Sequence, residues 1–531
     1  MGLKDFNTEG PVDPSIHYCI PPLERVDRDE ILHLIRRRKY FVLHAPRQTG
    51  KTSTLKALAD TLNATGKYGC VYANFEVGQT AREDVPEAMR VLLGQIARRA
   101  EKMLQDTFVR DVRLNVLEEH GGHGALNETL ARWASAREKP LVLLIDEIDS
   151  LEGDSLISVL RQLRAGYDER PDGFPQSVIL CGVRDVRDYR IYSSSLGASV
   201  TGGSAFNIRA KSLRLGDFTQ DEVRSLLGQH TAETGQEFEA GAVERIWELT
   251  RGQPWLVNAL ALEACFEDKA GRDRSRPIGA ESIDRARETL IVGRVTHLDQ
   301  LAARLSEDRV RRVIEPLLEG SLEPDWSDED MEYVRDLGLI APDDPVRIAN
   351  PIYREVVPRQ LTSVLQSRLA GFIRPSSYLR FDGSLDLRRL MQHFQGFFRD
   401  HSEHWVERFG YREAGPQLIL QAFLQRLVNS GGRIEREFGV GRPRTDLLVV
   451  WRPPGGGEAR YVIECKVLRP GRSLEAVIAQ GVRQTGEYMD VAGADEGHLV
   501  VFELRPNRTW SQRLFHRQEP LGEVRIDVWG V

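Results

Sequence analysis

The chain has 531 residues, of which 41% are hydrophobic and 28% are charged. This length is too great for one hydrophobic core and predicts three or four domains, and the composition is ordinary for a globular protein. The formal net charge of −7 excludes a protein that coats nucleic acid with its whole surface, so any phosphate contact needs a local basic surface.

Neither a membrane span nor a disulfide framework is expected. The sequence has no apolar run of about 18 residues, the length that a membrane helix needs, and its amino terminus lacks the apolar stretch of a secretory signal. The five cysteines are scattered and never form a Cys-x-x-Cys pair, which is typical of reduced thiols. These features predict a cytoplasmic protein.

The first motif in chain order is a phosphate-binding loop that follows an apolar run at 40–44. It matches the Walker A pattern with alanine in place of the first glycine, which requires a backbone conformation there that residues other than glycine can adopt. Lys51 is expected to reach the β- and γ-phosphates of ATP, and Thr52 is expected to ligate Mg²⁺. The residues predicted to line the nucleotide are Ala45, Pro46, Arg47, Gln48, Thr49, Gly50, Lys51, Thr52 and Ser53.

A second apolar run ends in Asp146 and Glu147, which is the form of a Walker B motif. Asp146 is expected to hold Mg²⁺ through water, and Glu147 is expected to polarise the attacking water. Strands that alternate with helices predict a doubly wound α/β fold with a parallel sheet. Further strands are predicted at 70–75 and 177–183, and helices at 53–63, 85–104, 126–136 and 156–167.

With these motifs, residues 15–365 resemble the AAA-like ATPases of the STAND and archaeal types. The resemblance also rests on the opening Tyr18-Cys-Ile-Pro-Pro-Leu-Glu-Arg and on the Gly-Gln-Pro turn within 249–257. It implies that Arg184 senses the γ-phosphate, with a charge on a surface loop as the alternative. It also implies a homo-oligomer in which a neighbouring subunit supplies an arginine, and Arg184 and Arg187 are the candidates.

The lid of this ATPase is expected to open on a capping box formed by Thr219 and Glu222. The next region reads as two helices, a turn and a closing strand at 345–354, which indicates a winged helix. Its acidic residues favour packing on the ATPase over DNA binding. The expected domains are an ATPase core (1–215), a helical lid (216–290), a winged-helix-like domain (291–365), a helical connector (366–400) and a carboxy-terminal domain (401–531).

The carboxy-terminal domain carries a second constellation of charged residues in β-prone runs. Side chains alternate along a strand, so Glu464 and Lys466 share one face, and a neighbouring strand would bring Asp446 to them. Two adjacent carboxylates make a hard-oxygen site that suits Mg²⁺ or Mn²⁺. A lysine beside the metal can orient or deprotonate water and stabilise charge on a phosphate.

This order resembles the D…ExK core of the PD-(D/E)xK nuclease superfamily, an α/β fold. The resemblance implies a further metal-facing carboxylate on the first core helix, for which Glu413 is the best match; an acid at a helix start is the alternative reading. It also implies that Gln484 and Tyr488, one turn apart on a helix, face the active site. Strands are expected at 434–438 and 497–502.

Together the two constellations predict an ATP-regulated or ATP-driven, metal-dependent DNA endonuclease. Such fusions resemble proteins of defence or mobile elements. The alternative is a nucleotide-switched scaffold that binds DNA or a partner through an inactive nuclease fold. DNA is favoured over RNA because the sequence has no RRM, KH or aromatic RNP signature.

Overall fold

The chain forms two compact units, Met1–Gly293 with Glu332–Asp343, and Arg294–Met331 with Asp344–Val531. None of the described helices is both long enough and apolar enough to cross a bilayer. The computed structural model describes residues 3–185, 190–193, 198–293, 304–319, 326–361, 375–406, 419–425, 432–438, 445–453, 456–468, 471–503, 505, 508–522 and 524–531.

The first unit is built on a five-stranded parallel sheet with the order β4-β5-β6-β3-β9. In chain order, the described strands of the first unit are β1 (Asp5–Phe6), β2 (His17–Tyr18), β3 (Tyr40–His44), β4 (Gly69–Asn74), β5 (Leu141–Asp146), β6 (Ser177–Gly182), β7 (Arg190–Ser193), β8 (Ala198–Thr201) and β9 (Arg209–Arg214). Strands β1 and β2 pair with each other, as do β7 and β8, and the other five form the main sheet. β6 lies between the two strands that lead into the Walker motifs. Because the carboxyl ends of parallel strands share one edge, the segments after β3, β5 and β6 meet there.

Helices cover both faces of this sheet, which is why β5 and β6 are buried at every residue and read as unbroken apolar runs. The helices are α1 (Arg28–Arg36), α2 (Lys51–Ala64), α3 (Val85–Leu104), α4 (Phe108–His120), α5 (Ala125–Ser135), α6 (Gly153–Ala165) and α7 (Gly202–Ala205). One apolar cluster joins the sheet to α1 and α2, and another joins it to α3, α4, α5 and α6.

The predicted parallel α/β fold of this unit is confirmed, and the helix predicted at 85–104 has those bounds. The sequence reading missed α4. Only Val109 and Val116 of this helix are buried, so its apolar spacing is too sparse to stand out from its charged residues.

The lid region forms helices α8 (Gln220–Thr234), α9 (Ala240–Thr250), α10 (Pro254–Leu262) and α11 (Ala280–Val292). Its predicted capping box is confirmed. The Glu222 amide donates to Thr219 Oγ1 at 3.2 Å, and the Thr219 amide donates to Glu222 Oε2 at 2.6 Å. These reciprocal bonds satisfy two amides that a helix start leaves without partners.

The expected winged-helix region contains α12 (Asp308–Glu319), α13 (Asp328–Asp336) and α14 (Pro351–Leu361). The strand expected at 345–354 is wrong, because residues 345–350 contain only a single bridge residue, Ile348, and α14 begins at Pro351. Asn350 Oδ1 accepts the Tyr353 amide at 2.9 Å, and Pro351 follows as the first helical residue. Asn-Pro is a strong helix start, and it outweighs the apolar alternation that favoured a strand.

The second unit contains a six-stranded mixed sheet with the order β10-β11-β12-β13-β15-β14. β12, β13 and β15 are parallel to one another, and the remaining neighbours are antiparallel. The strands are β10 (Gly432–Phe438), β11 (Thr445–Trp451), β12 (Ala459–Leu468), β13 (Glu496–Glu503), β14 (Phe515–Leu521) and β15 (Val524–Gly530). The first four were predicted from sequence, and the last two were not.

Helices pack on both faces of this sheet. α15 (Leu387–Val406) and a helical stretch at 419–425 share an apolar cluster with Ile463 and Cys465 of β12, whereas α16 (Leu474–Ala492) clusters with Val462. A short helix α17 (Trp510–Arg513) precedes β14. Within the helical connector expected at 366–400, α15 begins only at Leu387, because residues 379–385 form a tight turn closed by a Leu379–Leu385 bridge.

Candidate functional site

The phosphate-binding loop connects β3 to α2 as the sequence predicted. Gly50 has a φ of 98° and precedes the first residue of α2, whereas buried Ala45 does not have a positive φ, so alanine fits where the usual motif has glycine. The main-chain N–H groups of residues 47–50 donate to no described residue. Free amides at a helix start form a concave anion-binding surface.

Lys51 lies folded against this loop. Its Nζ donates to the carbonyls of Ala45 and Pro46, each at 2.9 Å, and the residue is only 5% exposed. The ammonium group is therefore held among the loop amides. Of the flanking predicted residues, Arg47 and Gln48 are exposed, Thr49 is buried, and Ser53 Oγ accepts the Val12 amide at 3.0 Å.

Asp146 joins the two Walker segments. Its Oδ2 accepts hydrogen bonds from Thr52 Oγ1 at 2.7 Å and from Tyr72 Oη at 2.9 Å, and its Oδ1 accepts the Glu147 amide at 3.0 Å. The carboxylate has no exposed surface. Thr52 and Asp146, both predicted Mg²⁺ ligands, are thus in direct contact at the carboxyl edge of the sheet.

Glu147 follows Asp146 in a left-handed conformation, with a φ of 53°. Burial, and secondarily the charge of Asp149, raises the pKa of the Glu147 carboxyl. Asp149 Oδ2 accepts the Val183 amide at 3.1 Å, which ties the segment after β5 to the segment after β6. Glu147 is thus a half-buried carboxyl of raised pKa that directly follows Asp146, a predicted Mg²⁺ ligand. Such a carboxyl is suited to proton transfer.

Sequence reasoning missed the role of Arg25, the last residue of the opening motif. Arg25 Nη1 donates to the Thr49 carbonyl at 2.6 Å, Nη2 donates to the Gly216 carbonyl at 2.7 Å, and the guanidinium lies 4.5 Å from the Phe218 ring centre. Burial lowers its pKa to about 10. Arg25 therefore links the phosphate-binding loop to the segment that enters the lid.

Arg184, the predicted γ-phosphate sensor, is 7% exposed and lies just after β6. Its Nε lies 3.6 Å from Asp336 Oδ2, and its guanidinium lies 4.7 Å from the Tyr333 ring centre. Asp336 also approaches His44 Nδ1 at 3.8 Å. Residues 332–343 thus pack beside the carboxyl ends of β3 and β6.

Of the residues predicted for the carboxy-terminal site, Glu464 and Lys466 lie next to each other. Glu464 and Lys466 share the face of β12 that also carries Val462 and faces α16, and Lys466 Nζ donates to Glu464 Oε1 at 2.5 Å. Glu464 is 2% exposed, whereas the Lys466 side chain is 25% exposed. Cys465 lies on the opposite face.

The helix α16 brings its predicted pair to this face. Tyr488 is buried in the cluster that contains Val462, and the buried Oε1 of Gln484 has no hydrogen-bond partner among the described residues. One turn before Gln484, Gly481 lies so close to Leu499 that an added Cβ would be 2.6 Å from it. Leu499 is the register partner of Glu464, so α16 crosses the sheet near that carboxylate.

The side chains of three predicted residues lie outside the described part of the chain. Asp446 belongs to β11, next to the Leu447–Ile463 pair that precedes Glu464 in register, but its side chain lies outside the description. Glu413 and Arg187 lie outside the described residues altogether. Among the described residues, no group of three or more His, Cys, Asp or Glu could hold a metal.

One comparison with known proteins covers both Walker segments. A family model described as an AAA domain matches residues 35–189, and this part of the chain is an AAA-type P-loop ATPase domain. No curated protein matches the sequence.

Three solved structures share 15–16% identity with the chain. The Walker-type ATPase of Pyrococcus abyssi matches at 15% identity and a TM-score of 0.46, over 66% of this chain and 99% of that one. The ORC2 protein of Aeropyrum pernix matches at 15% and 0.41, over 65% and 96%. Cdc6p of Pyrobaculum aerophilum matches at 16% and 0.38, over 67% and 99%.

Gly50→Ala should destabilise the first unit more than Gly66→Ala does. Both glycines have positive φ, but a Cβ at Gly50 would lie 2.6 Å from Arg25 Nη1, whereas a Cβ at Gly66 meets nothing within 4 Å. Displacing Arg25 breaks its bond to Thr49, which costs about 1–2 kcal/mol beyond the shared backbone strain. Urea unfolding of both variants measures the difference, and equal losses would contradict the described contact.

The first unit should lose stability as His44 becomes protonated. Burial, with smaller effects from Arg214, Arg209 and Lys51, lowers the pKa of His44 to about 4. The unfolded chain therefore binds the proton first, and stability falls as the pH drops from about 6.5 to 4, by up to about 3 kcal/mol. His44→Gln should flatten this dependence in urea unfolding at several pH values. If the wild type and His44→Gln lost the same stability at acid pH, the loss could not be assigned to His44.

Proposed function

We propose that the chain is an ATP-controlled, metal-dependent DNA endonuclease. The ATPase domain binds and hydrolyses ATP, and the carboxy-terminal sheet cleaves phosphodiester bonds. The contact between Thr52 and Asp146, at 2.7 Å, is the observation on which the ATP-dependent half rests. The Glu464–Lys466 pair on one face of β12 supports the second half.

In the ATPase domain, Lys51 and the loop amides bind the phosphates. Lys51 already lies among main-chain carbonyls at 2.9 Å, so it needs only to exchange these acceptors for phosphate oxygens. Thr52 and Asp146 would hold Mg²⁺, which neutralises the phosphate charge when it is bound. Glu147 orients the attacking water and accepts its proton, a role that the raised pKa of its carboxyl favours.

Arg184 extends this proposal to the control of hydrolysis. Its guanidinium pairs with Asp336 and lies over Tyr333. A γ-phosphate competes with Asp336 for the same donor, because both are anions that bind a guanidinium. ATP binding would thereby loosen residues 332–343 from the end of β6.

In the carboxy-terminal sheet, Asp446 and Glu464 would hold Mg²⁺ or Mn²⁺, which supplies Lewis-acid stabilisation of phosphate charge. Lys466 orients the water and stabilises the developing negative charge. Gln484 and Tyr488 position the substrate from α16. The support is the register of β11 and β12 and the shared face of Glu464 and Lys466.

Lys466→Ala should abolish DNA cleavage and leave ATP hydrolysis intact. The ammonium group is the side-chain cation proposed to act on the scissile phosphate beside the metal, and its removal is expected to slow cleavage by about 10²-fold or more. The measurement uses supercoiled, linear and single-stranded DNA with ATP and either Mg²⁺ or Mn²⁺. Asp446→Ala should behave in the same way.

The matched control is Glu475→Gln, which removes a 70% exposed charge from the start of α16. It should cleave like the wild type. Lys51→Ala separates the two halves, since it should abolish ATP hydrolysis and with it ATP-dependent cutting. Cleavage that persists in both Lys466→Ala and Asp446→Ala would refute the nuclease, and ATP binding without metal-dependent cutting by the wild type would favour the nucleotide-switched scaffold.

A further inference from the structure

Four consecutive cations, Arg36-Arg37-Arg38-Lys39, lie at the carboxyl end of α1, immediately before β3. We call this set the basic run. Its three arginines are exposed, and the run lines an open surface depression of about 390 Å³. Among the residues that the structure describes, none of the four side chains has an ion-pair or hydrogen-bond partner. The run is thus a concentrated, uncompensated positive surface.

The side chains of the basic run are not needed to end α1. The last carbonyls of that helix already have donors: Lys39 N donates to Leu34 O at 2.9 Å, Arg38 N donates to Ile35 O at 3.0 Å, and Gln176 Nε2 also donates to Ile35 O at 2.8 Å. Charged side chains at a helix end usually cap its orphan carbonyls, but here main-chain amides and Gln176 already supply those donors.

The backbone of the run is also held in place. Arg170 donates to the Arg38 carbonyl, and its guanidinium lies over the rings of Tyr167 and Tyr40. Arg38 has a φ of 58°, a left-handed conformation at the position after a helix where glycine adopts it without strain. The chain thus keeps a charged side chain where glycine would be easier to accommodate.

The basic run is separate from the nucleotide site. It precedes β3, whereas the phosphate-binding loop follows β3, so the two lie at opposite edges of the sheet. A five-residue strand separates them by about 17 Å. ATP bound at the loop therefore leaves the run free for a second anion.

We propose that the basic run docks the phosphate backbone of double-stranded DNA. Guanidinium groups bind phosphate oxygens in a two-point geometry, and adjacent arginines suit a row of phosphates. The aromatic residue next to the run, Tyr40, is fully buried and cannot stack on unpaired bases. None of the exposed large apolar side chains belongs to the run, so it has no group to insert into a bilayer. The choice of DNA as the polyanion rests on the proposed function.

The test measures binding of a fluorescent 30-base-pair duplex to the full chain by anisotropy, in EDTA and at several KCl concentrations. The triple variant Arg36→Ala/Arg37→Ala/Lys39→Ala should bind about tenfold or more weakly. Its slope of log affinity against log salt should become shallower by about 3, since each phosphate contact contributes about 0.9. ATP hydrolysis without DNA should stay unchanged, which checks the fold.

Two further variants serve as controls for the effect of the triple variant on DNA binding. Arg90→Ala/Arg110→Ala/Arg132→Ala removes the same charge from arginines that each have a carboxylate partner, and it should bind DNA like the wild type. Arg38→Gly should reduce the salt slope by about 1 while its thermal midpoint stays equal or rises, because glycine relieves the left-handed strain.

Unchanged duplex affinity and salt slope in the triple variant would overturn the docking surface and leave the nuclease proposal standing. A larger loss for single-stranded DNA or for phosphatidylserine vesicles than for the duplex would overturn the choice of partner. Cleavage assays on Lys466→Ala test the carboxy-terminal site separately, so failure of one proposal is distinguishable from failure of the other.

Discussion

The buried carboxylate of Asp146 organises the first unit. It accepts three hydrogen bonds, from the Thr52 hydroxyl, the Tyr72 hydroxyl and the Glu147 amide, and it has no contact with solvent. A buried charge is tolerated only when such donors surround it. Because these donors come from α2, β4 and the end of β5, the carboxylate requires the sheet order that brings those elements to one edge.

The same edge gathers groups that are distant in sequence. Arg25 fastens the phosphate-binding loop to the entrance of the lid, and Asp336 pairs with Arg184 beside β6. The first contact joins the phosphate-binding loop to the entrance of the lid, and the second joins the end of β6 to residues 332–343.

Sequence alone predicted what depends on local pattern. The unbroken apolar runs of β5 and β6, the loop from Ala45 to Thr52 and the Glu464-x-Lys466 strand all follow from periodicity and spacing. Arg25 and Asp336 were missed because their partners are distant in sequence, up to 191 residues for Arg25 and Gly216, and a lone charge shows no partner in a sequence. The helix α14 was misread because an apolar alternation masked the Asn350-Pro351 start signal.

The most direct measurement is calorimetric titration of ATP into the wild type and Asp146→Asn, with and without Mg²⁺. Asparagine keeps the shape of the side chain but removes the charge that would hold the cation. Both proteins should bind metal-free ATP alike, and the variant should lose about tenfold or more of the affinity that Mg²⁺ adds. An equal gain from Mg²⁺ in both proteins would contradict the assignment of Asp146 as the organising carboxylate of the nucleotide site.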